Sequence, residues 1–378
     1  MMKNVKRGGK IVVAIVLLVA TVLCCCACGP KGTGRKVPVT FKLNNGFGEA
    51  VVQMDEGIPM KNAPTPTMRG AKFIGWANGR TMWDIENDNV TEGLVLSARW
   101  ALVEDALEPD PNAGVLSEGT DLRVCSFNLL KEGAFNATPV RNRVQGLLDM
   151  LVNYKMDIVS CQECCSTWRG YISGRIKSQG LSYKQVSVSN KGETSAYLDI
   201  IYNTERLTLL DCGVVKYTTP NDYDGDLMWA KFETKDAQKR QFIALSFAWC
   251  YNQPDTRLEQ CQIVSDWVNE KKADTGLPVI SMGDYNDYES SDPCKNYLAN
   301  TAMKDAKLEA PRKGLVGKSY HTTPQMDTYT NGELNQMETI DHIYYTGEFS
   351  ALYYDVIISN NVLVVSDHNP VYADLKFN

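Results

Sequence analysis

The sequence predicts an α/β protein with packed sheets, and two patterns indicate this class. Apolar, β-branched runs such as "LRVCSFNLL", "MDIVSCQE" and "LPVISMGDYN" recur from residue 122 onward. Their near-continuous hydrophobicity is typical of strands that are covered on at least one face. Between some of these runs, "NRVQGLLDMLVNY" and "RLEQCQIVSDWVNEKK" place apolar residues at helical spacing. Strands mixed with helices favour an α/β architecture.

Residues 1–27 are predicted to be a lipoprotein signal peptide. "MMKNVKRGGK" is basic and lacks an acid, and the apolar run "IVVAIVLLVATVL" follows it. Cys28 is the predicted acylated residue, because Ala27 precedes it and Gly29 begins a tether; the alternatives are Cys24, Cys25 and Cys26. The prediction is a lipid-anchored protein on the extracytoplasmic side of a bacterial membrane. An uncleaved membrane anchor is the alternative.

Residues 28–36 are predicted to be a tether, and residues 37–100 a small β module. "VPVTFKLNNGFGEAVVQM" has apolar stretches on each side of an Asn-Asn-Gly turn, which predicts a hairpin. The module resembles a Listeria–Bacteroides (internalin B-type) repeat through "VTFKLNNG", "GAKFIGWANG" and "MWDIENDNVTEGLVLSARW". The resemblance implies a β-grasp-like unit that acts as a spacer or binds a cell-wall or surface partner. Its aromatic residues are expected to pack in the core.

The rest of the chain is predicted to be a linker and one large domain. Residues 101–121 are acidic and carry Pro and Gly, which is typical of a linker, and residues 122–378 form the domain. The formal net charge of −6 argues against strong non-specific binding to nucleic acid, which needs a basic surface.

Eight cysteines follow Cys28, and most of them lie in apolar runs, where cysteine behaves as a small hydrophobe. "CQEC" matches the C-x-x-C pattern, but it lacks a second cysteine cluster and a suitable helix start, so no metal or redox site is predicted there. The sequence leaves the disulfide state of these cysteines undecided, because an exported protein can form disulfides.

Polar residues lie at the ends of five of the apolar runs. Loops at strand ends are where α/β folds collect functional sites. Four acids, two amides and one histidine suit a hard cation such as Mg²⁺ and the hydrolysis of a phosphate ester. The residues are Asn128, Glu163, Asp284, Asn286, Asp341, Asp367 and His368.

These motifs, in the order "SFNLL", "DIVSCQE", "LDIIYN", "GDYN", "IDHIYY" and "SDHNPV", resemble the endonuclease/exonuclease/phosphatase superfamily over residues 122–377. The resemblance implies a four-layer sandwich of two packed mixed β-sheets flanked by helices. It also implies hydrolysis of phosphodiesters or phosphomonoesters with Mg²⁺, or alternatively Mn²⁺. Substrates in such a family include nucleic acids, phospholipid head groups and sugar phosphates.

The resemblance further implies a role for each polar residue. Glu163 is the expected main metal ligand, Asn128 assists it, and Asp367 completes the metal or proton network. The catalytic residues are expected to be Asp284, which orients or deprotonates water, and Asn286, which holds water or phosphate. Asp341 is expected to accept a hydrogen bond from His368. His342 is expected to face away from the site, and His321 to lie at the surface.

One position departs from the family pattern. Relatives carry a histidine at the end of a middle strand, nine residues before an Arg and twelve before a Gln. In this chain Arg257 and Gln260 hold the later positions, and Ala248 replaces the histidine. Tyr251 and Asn252 are weak candidates to replace it. The main hypothesis is a metal-dependent phosphohydrolase; the alternative, favoured by Ala248, is a non-catalytic surface protein that uses the same fold for binding or adhesion.

Overall fold

The structure is a computed structural model that describes residues 32–43, 49–60, 62–66, 71–79, 81–102, 112–134, 139–186, 195–314, 339–359, 362 and 365–378. The described residues fall into two compact units that divide near residue 98. The predicted signal peptide, Cys28 and His321 lie outside the described residues, as do positions 103–111 of the predicted linker.

The N-terminal unit is a five-stranded sheet in the order β2-β1-β5-β3-β4. β1 and β2 form the predicted antiparallel hairpin, and β1 and β5 run parallel. Trp76 is fully buried and its ring meets that of Phe41 edge-on at 4.7 Å, so this tryptophan belongs to the core. The strands are β1 (Lys36–Lys42), β2 (Glu49–Asp55), β3 (Ala71–Asn78), β4 (Thr81–Met82) and β5 (Val95–Leu102).

The C-terminal unit contains two mixed sheets. The first has the order β15-β17-β18-β6-β7-β9-β8, and the second β10-β11-β12-β13-β16-β14. The first sheet comprises β6 (Leu122–Asn128), β7 (Ile158–Gln162), β8 (Tyr183–Gln185), β9 (Asp199–Asn203), β15 (Arg312–Lys313), β17 (Phe349–Val356) and β18 (Val371–Phe377). The second comprises β10 (Leu207–Thr218), β11 (Asp224–Thr234), β12 (Gln241–Ala248), β13 (Val279–Asp284), β14 (Lys304–Asp305) and β16 (Asp341–Tyr345).

The two sheets pack face to face, and helices cover their outer faces. Between the sheets, the Ser160 hydroxyl donates to the Ser246 hydroxyl at 2.8 Å and lies 3.1 Å from the Met282 carbonyl oxygen. The helices are α1 (Val140–Asn153), α2 (Ser166–Gln179), α3 (Pro254–Thr275), α4 (Asp292–Thr301) and α5 (Ala306–Glu309). Apolar side chains of α1 and α2 share one core with those of β6 and β7. This arrangement confirms the predicted α/β fold with packed mixed sheets flanked by helices.

The eight cysteines after Cys28 are free thiols, and all but the half-buried Cys165 are buried. Burial raises the pKa of Cys161 and Cys164 well above the usual value, as befits small interior side chains. Helix α2 does begin directly after Cys165, although the sequence showed no helix start at the C-x-x-C motif. Among the described helices, none is long and apolar enough to cross a bilayer.

Candidate active site

Three neighbouring strands of the second sheet bring their ends together in one row. Ala248 pairs with Asp284 across β12 and β13, and Asp284 pairs with Asp341 across β13 and β16. Directly paired residues point to the same face of a sheet. The two carboxylates and the Ala248 methyl group therefore face the same way, toward the first sheet.

The first sheet contributes the opposite wall. Asn128 ends β6, Glu163 follows β7, and Asp367 and His368 precede β18. Glu163 has a φ of 52°, in the left-handed region that side-chain-bearing residues rarely adopt. Leu130 and Asn286 share this conformation, with φ of 54° and 49°. Such backbone strain costs about 1–3 kcal/mol per residue and concentrates at functional sites.

Asn128 connects the two walls. Its amide nitrogen donates to Asp284 Oδ2 at 3.0 Å and to Glu163 Oε1 at 3.3 Å. The other Glu163 oxygen accepts the backbone N–H of Lys131 at 3.0 Å. The amide therefore fixes two carboxylates from different sheets within reach of one ligand.

His368 lies between two carboxylates. Its Nδ1 is 2.9 Å from Asp341 Oδ2, and its Nε2 is 3.9 Å from Asp284 Oδ2. Burial by itself would lower the pKa of His368, but Asp341 and Asp284 outweigh it and raise the pKa to about 10. The imidazole is therefore a cation at neutral pH and donates a hydrogen bond through Nδ1 to Asp341.

Asp284 is held from both sides. The backbone N–H of Asn286 donates to its Oδ1 at 2.9 Å, and the Asn286 amide nitrogen donates to its Oδ2 at 3.1 Å and to the Trp249 carbonyl at 2.8 Å. Burial raises the pKa of Asp284 to about 7, although the His368 charge opposes the rise. Its carboxylate is thus basic enough to accept a proton near neutral pH.

The comparison with known families decides the identity of this site. The sequence profile of the endonuclease/exonuclease/phosphatase family matches residues 125–368, well over half of the chain. The chain belongs to this family. All seven predicted polar residues lie within the matched range, and the structure brings them to one cleft or its immediate edge.

Solved structures of the endonuclease/exonuclease/phosphatase fold agree. A family protein of Bacteroides thetaiotaomicron is 18% identical, with a TM-score of 0.58, and the match covers 68% of this chain and 98% of that one. A mannosyl-6-phosphatase of the same organism gives the same identity and TM-score, with 68% and 100% covered. A Bacteroides vulgatus family protein is 20% identical, with a TM-score of 0.57 and coverage of 68% and 99%. At these identities the likeness shows the fold.

A curated protein of Evansella cellulosilytica, described as a membrane protein, is 28% identical over 79 residues. The match covers 20% of this chain and 12% of that protein, so the chain spans a small part of the relative's length.

The family depends on divalent metals, and the donor set of this cleft fits one. Asn128, Glu163 and Asp367 offer amide and carboxylate oxygens, which hard cations prefer. Burial raises the pKa of Asp367, and the nearby Glu163 adds to the rise although His368 opposes it. Two carboxylates that repel each other are stabilised by a cation between them.

A second group, Asp284, Asp341 and His368, also has ligand atoms within 4.8 Å of one another. A cation here would compete with the His368 imidazolium for the two carboxylates, because Asp341 and Asp284 raise the pKa of His368 to about 10. This group is better understood as an imidazolium held by two carboxylates.

The Ala248 side of the cleft is ordered by two polar residues of α3. Arg257 lies 2.9 Å from Asp287 and donates to the carbonyl groups of Cys250 and Tyr251. Gln260 Oε1 accepts the backbone N–H of Cys250 at 2.7 Å. These bonds fix the segment that follows Ala248.

The weak candidates for the missing histidine lie near this side but differ in placement. Tyr251 lines the cleft and is 76% exposed. Asn252 accepts the Cys250 thiol at 3.3 Å through its side-chain oxygen. His342 faces the other side of its strand, where its Nε2 donates to the Asp287 carbonyl at 2.9 Å.

Sequence reasoning missed one positioning residue and several cleft residues. Arg143 of α1 is buried and donates to the carbonyl groups of Leu129, Leu130 and Val365, so it joins the loops that carry Asn128 and Asp367. An arginine inside an apolar helical stripe was the available signal. The cleft measures about 1240 Å³ and is also lined by Lys131, Tyr197, Lys216 and Tyr223.

Proposed function

We propose that this chain is a Mg²⁺-dependent phosphoric ester hydrolase that acts on phosphodiesters. One observation carries the proposal: Asp284 is fixed by Asn128 and Asn286, next to a histidine that Asp341 keeps charged. A general base and a cationic donor then face the same small volume, which is the pairing that ester hydrolysis needs.

In this proposal, Asp284 accepts a proton from the attacking water, and Asn286 keeps its carboxylate in position. His368 donates from Nε2 to a phosphate oxygen and stabilises the charge that builds on it. A divalent cation held by Glu163, Asn128 and Asp367 would neutralise phosphate charge. Mn²⁺ offers a similar oxygen-ligated geometry and is the expected substitute.

The substrate range is proposed from the cleft and its relatives. A cleft of about 1240 Å³ is large enough to take both arms of a small diester. The mannosyl-6-phosphatase shares the fold over its whole length, and sugar phosphates are therefore included with phospholipid head groups and nucleic acid as test substrates. Long nucleic acid is the least favoured, because the chain carries a net charge of −6.

We extend the proposal to cellular location on sequence grounds. The basic, apolar and cysteine-bearing N-terminus supports a lipoprotein signal peptide with acylation at Cys28. The repeat-like motifs of residues 37–100 support a surface module of the internalin B type. The hydrolase would then act outside the cytoplasmic membrane, and the module would act as a spacer or bind a surface partner.

A second candidate is supported by Ala248. A protein that lacks one histidine of the family pattern could bind a phosphorylated ligand or a surface partner without hydrolysing it. In that case the Glu163, Asn128 and Asp367 set would still bind a cation, and turnover would be absent.

A substrate panel separates these functions. Purified protein is assayed with bis(p-nitrophenyl) phosphate, p-nitrophenyl phosphate, mannose 6-phosphate, phosphatidylcholine vesicles and a single-stranded oligonucleotide, with Mg²⁺ and with excess chelator. The proposal expects turnover of the diester that requires the metal. Metal-dependent turnover of monoesters alone would move the assignment to a phosphomonoesterase. Metal and phosphate binding without turnover of any ester would favour the binding candidate.

A further inference from the structure

The corner of the cleft at Ala248 carries only a methyl group, and a tyrosine from a distant turn lines the same cleft. Tyr223 belongs to the turn that joins β10 and β11, and it lines the same cleft as Ala248, Asp284 and His368. We propose that Tyr223 donates a hydrogen bond from its phenol to a nonbridging phosphate oxygen on this side of the site. The proposal rests on the proposed function and adds a catalytic residue to it.

The turn that carries Tyr223 is well ordered by Thr219, which is 2% exposed. The backbone N–H of Thr219 donates to the Tyr223 carbonyl at 2.9 Å, and the Thr219 hydroxyl accepts the Tyr223 N–H at 3.2 Å. A third bond runs from the Asp222 N–H to the Thr219 carbonyl at 2.9 Å. The tyrosine backbone is therefore fixed before any ligand binds, and pre-organised donors contribute most to transition-state stabilisation.

The same turn is tied to the segment after Ala248. Gln260 accepts the Cys250 N–H through Oε1, and its Nε2 donates to the Tyr217 hydroxyl at 3.2 Å. One glutamine thus connects β10, just before the turn, to the residue two positions beyond Ala248. Nearby, the Asn221 N–H donates to Glu259 at 3.2 Å. These contacts hold the turn that carries Tyr223 close to the segment that follows Ala248.

The phenol has the chemistry of a neutral donor. Burial raises the pKa of Tyr223, and the adjacent Cys250, then Tyr251 and Asp284, raise it further. The hydroxyl therefore keeps its proton at neutral pH, and on binding it would exchange its hydrogen bond with the Cys250 side chain for one to a phosphate oxygen. The half-buried Tyr223 is also better constrained than Tyr251, whose side chain is 76% exposed. A constrained donor loses less side-chain entropy when it binds.

The test removes only the hydroxyl. Tyr223→Phe is compared with wild type and with Tyr171→Phe, a matched change on α2 at a residue that is 39% exposed. We expect Tyr223→Phe to lower kcat on the order of 100-fold with little change in KM, because the bond strengthens in the transition state. Inorganic phosphate, titrated calorimetrically in Mg²⁺, should bind several-fold more weakly. Tyr171→Phe should match wild type in both.

A double variant separates a lost donor from a disturbed fold. The double variant combines Tyr223→Phe with Ala248→His, which introduces a new donor at the same corner. It should recover most of the activity that Tyr223→Phe alone loses. If Tyr223→Phe stays within twofold of wild type in kcat and in phosphate affinity, the inference is wrong while the proposed function stands. If wild type hydrolyses no ester, the proposed function fails, and the phosphate titration alone decides whether Tyr223 contacts phosphate.

Discussion

The two ends of the row Ala248, Asp284 and Asp341 differ in what lies beyond them. Beyond Asp341 lies His368, which is 4% exposed and bonded at 2.9 Å to that carboxylate. Beyond Ala248 lies a methyl-sized corner of the cleft that Tyr223 also lines. The His368 side therefore presents a buried positive charge, and the Ala248 side presents a neutral hydroxyl.

The arginines on each side show the same contrast. Arg143, on the His368 side, is buried and uses its charge on three carbonyl groups. Arg257, on the Ala248 side, is neutralised by Asp287 and also holds the carbonyls of Cys250 and Tyr251. In these contacts both arginines bind groups of the protein itself. Charge stabilisation is thus expected to come from His368 and the cation, and the Ala248 side contributes a weaker, neutral bond.

The largest expected effect comes from the charged side. His368→Ala should lower kcat for bis(p-nitrophenyl) phosphate by about 10³-fold, because it removes the cationic donor. Asp341→Asn should cause a similar loss, and the double variant little more, since the pair acts as a unit. Steady-state kinetics in Mg²⁺ measures all three. Fully additive losses in the double variant would show that the two residues act separately.

The next effect concerns the cation. Glu163→Gln should weaken Mg²⁺ binding on the order of 100-fold, because an amide replaces a charged oxygen ligand. Isothermal titration with Mg²⁺ measures it, and Glu270→Gln on the exposed face of α3 is the control. Unchanged Mg²⁺ affinity in Glu163→Gln would indicate that the cation binds instead at the group of Asp284, Asp341 and His368.

Arg143 and Arg257 allow the two sides of the cleft to be compared through their contributions to the stability of the fold. Arg143→Met should lower the free energy of unfolding by about 3 kcal/mol, because the buried carbonyl groups of Leu129 and Val365 lose this donor, while that of Leu130 keeps the Trp168 indole. Arg257→Met should cost about 1–2 kcal/mol, since water can reach part of its site. Urea unfolding of both variants gives the comparison. A larger loss of unfolding free energy in Arg257→Met than in Arg143→Met would contradict the expectation that the arginine on the His368 side contributes more to stability.

The smallest effect is expected at the missing histidine. Ala248→His should raise kcat of the wild-type protein by less than about fivefold, because Tyr223 already occupies that side as a donor. The same diester assay measures it, with thermal unfolding as a check on the fold. A gain of about 100-fold or more would mean that the Ala248 side limits catalysis and that Tyr223 does not compensate.

How far the sequence predicted the site depends on where each residue lies. Asp284 and Glu163 could be found because each directly follows an apolar run, and a polar residue at a strand end is visible without a structure. The orientation of His342 was also predictable, because side chains alternate along a strand and Asp341 faces the cleft.

Other features depend on long-range packing. Tyr223 lies on a turn, and the pairing of β11 with β12 and the contacts of Gln260 with Tyr217 and Cys250 bring that turn toward Ala248. The pattern of apolar residues along the nearby sequence does not predict such a long-range contact. The helix that contains Arg143 was predicted from its apolar stripe, but the three carbonyl groups that Arg143 binds come from two loops, one after β6 and one before β18.

The most direct test of the account is the rate of bis(p-nitrophenyl) phosphate hydrolysis by Asp284→Ala in Mg²⁺. Asp274→Ala, at an exposed position of α3, is the matched control. The account predicts that Asp284→Ala retains less than about 1% of the wild-type rate, because the general base is lost, while Asp274→Ala retains all of it. A wild-type rate in Asp284→Ala would contradict the proposed mechanism.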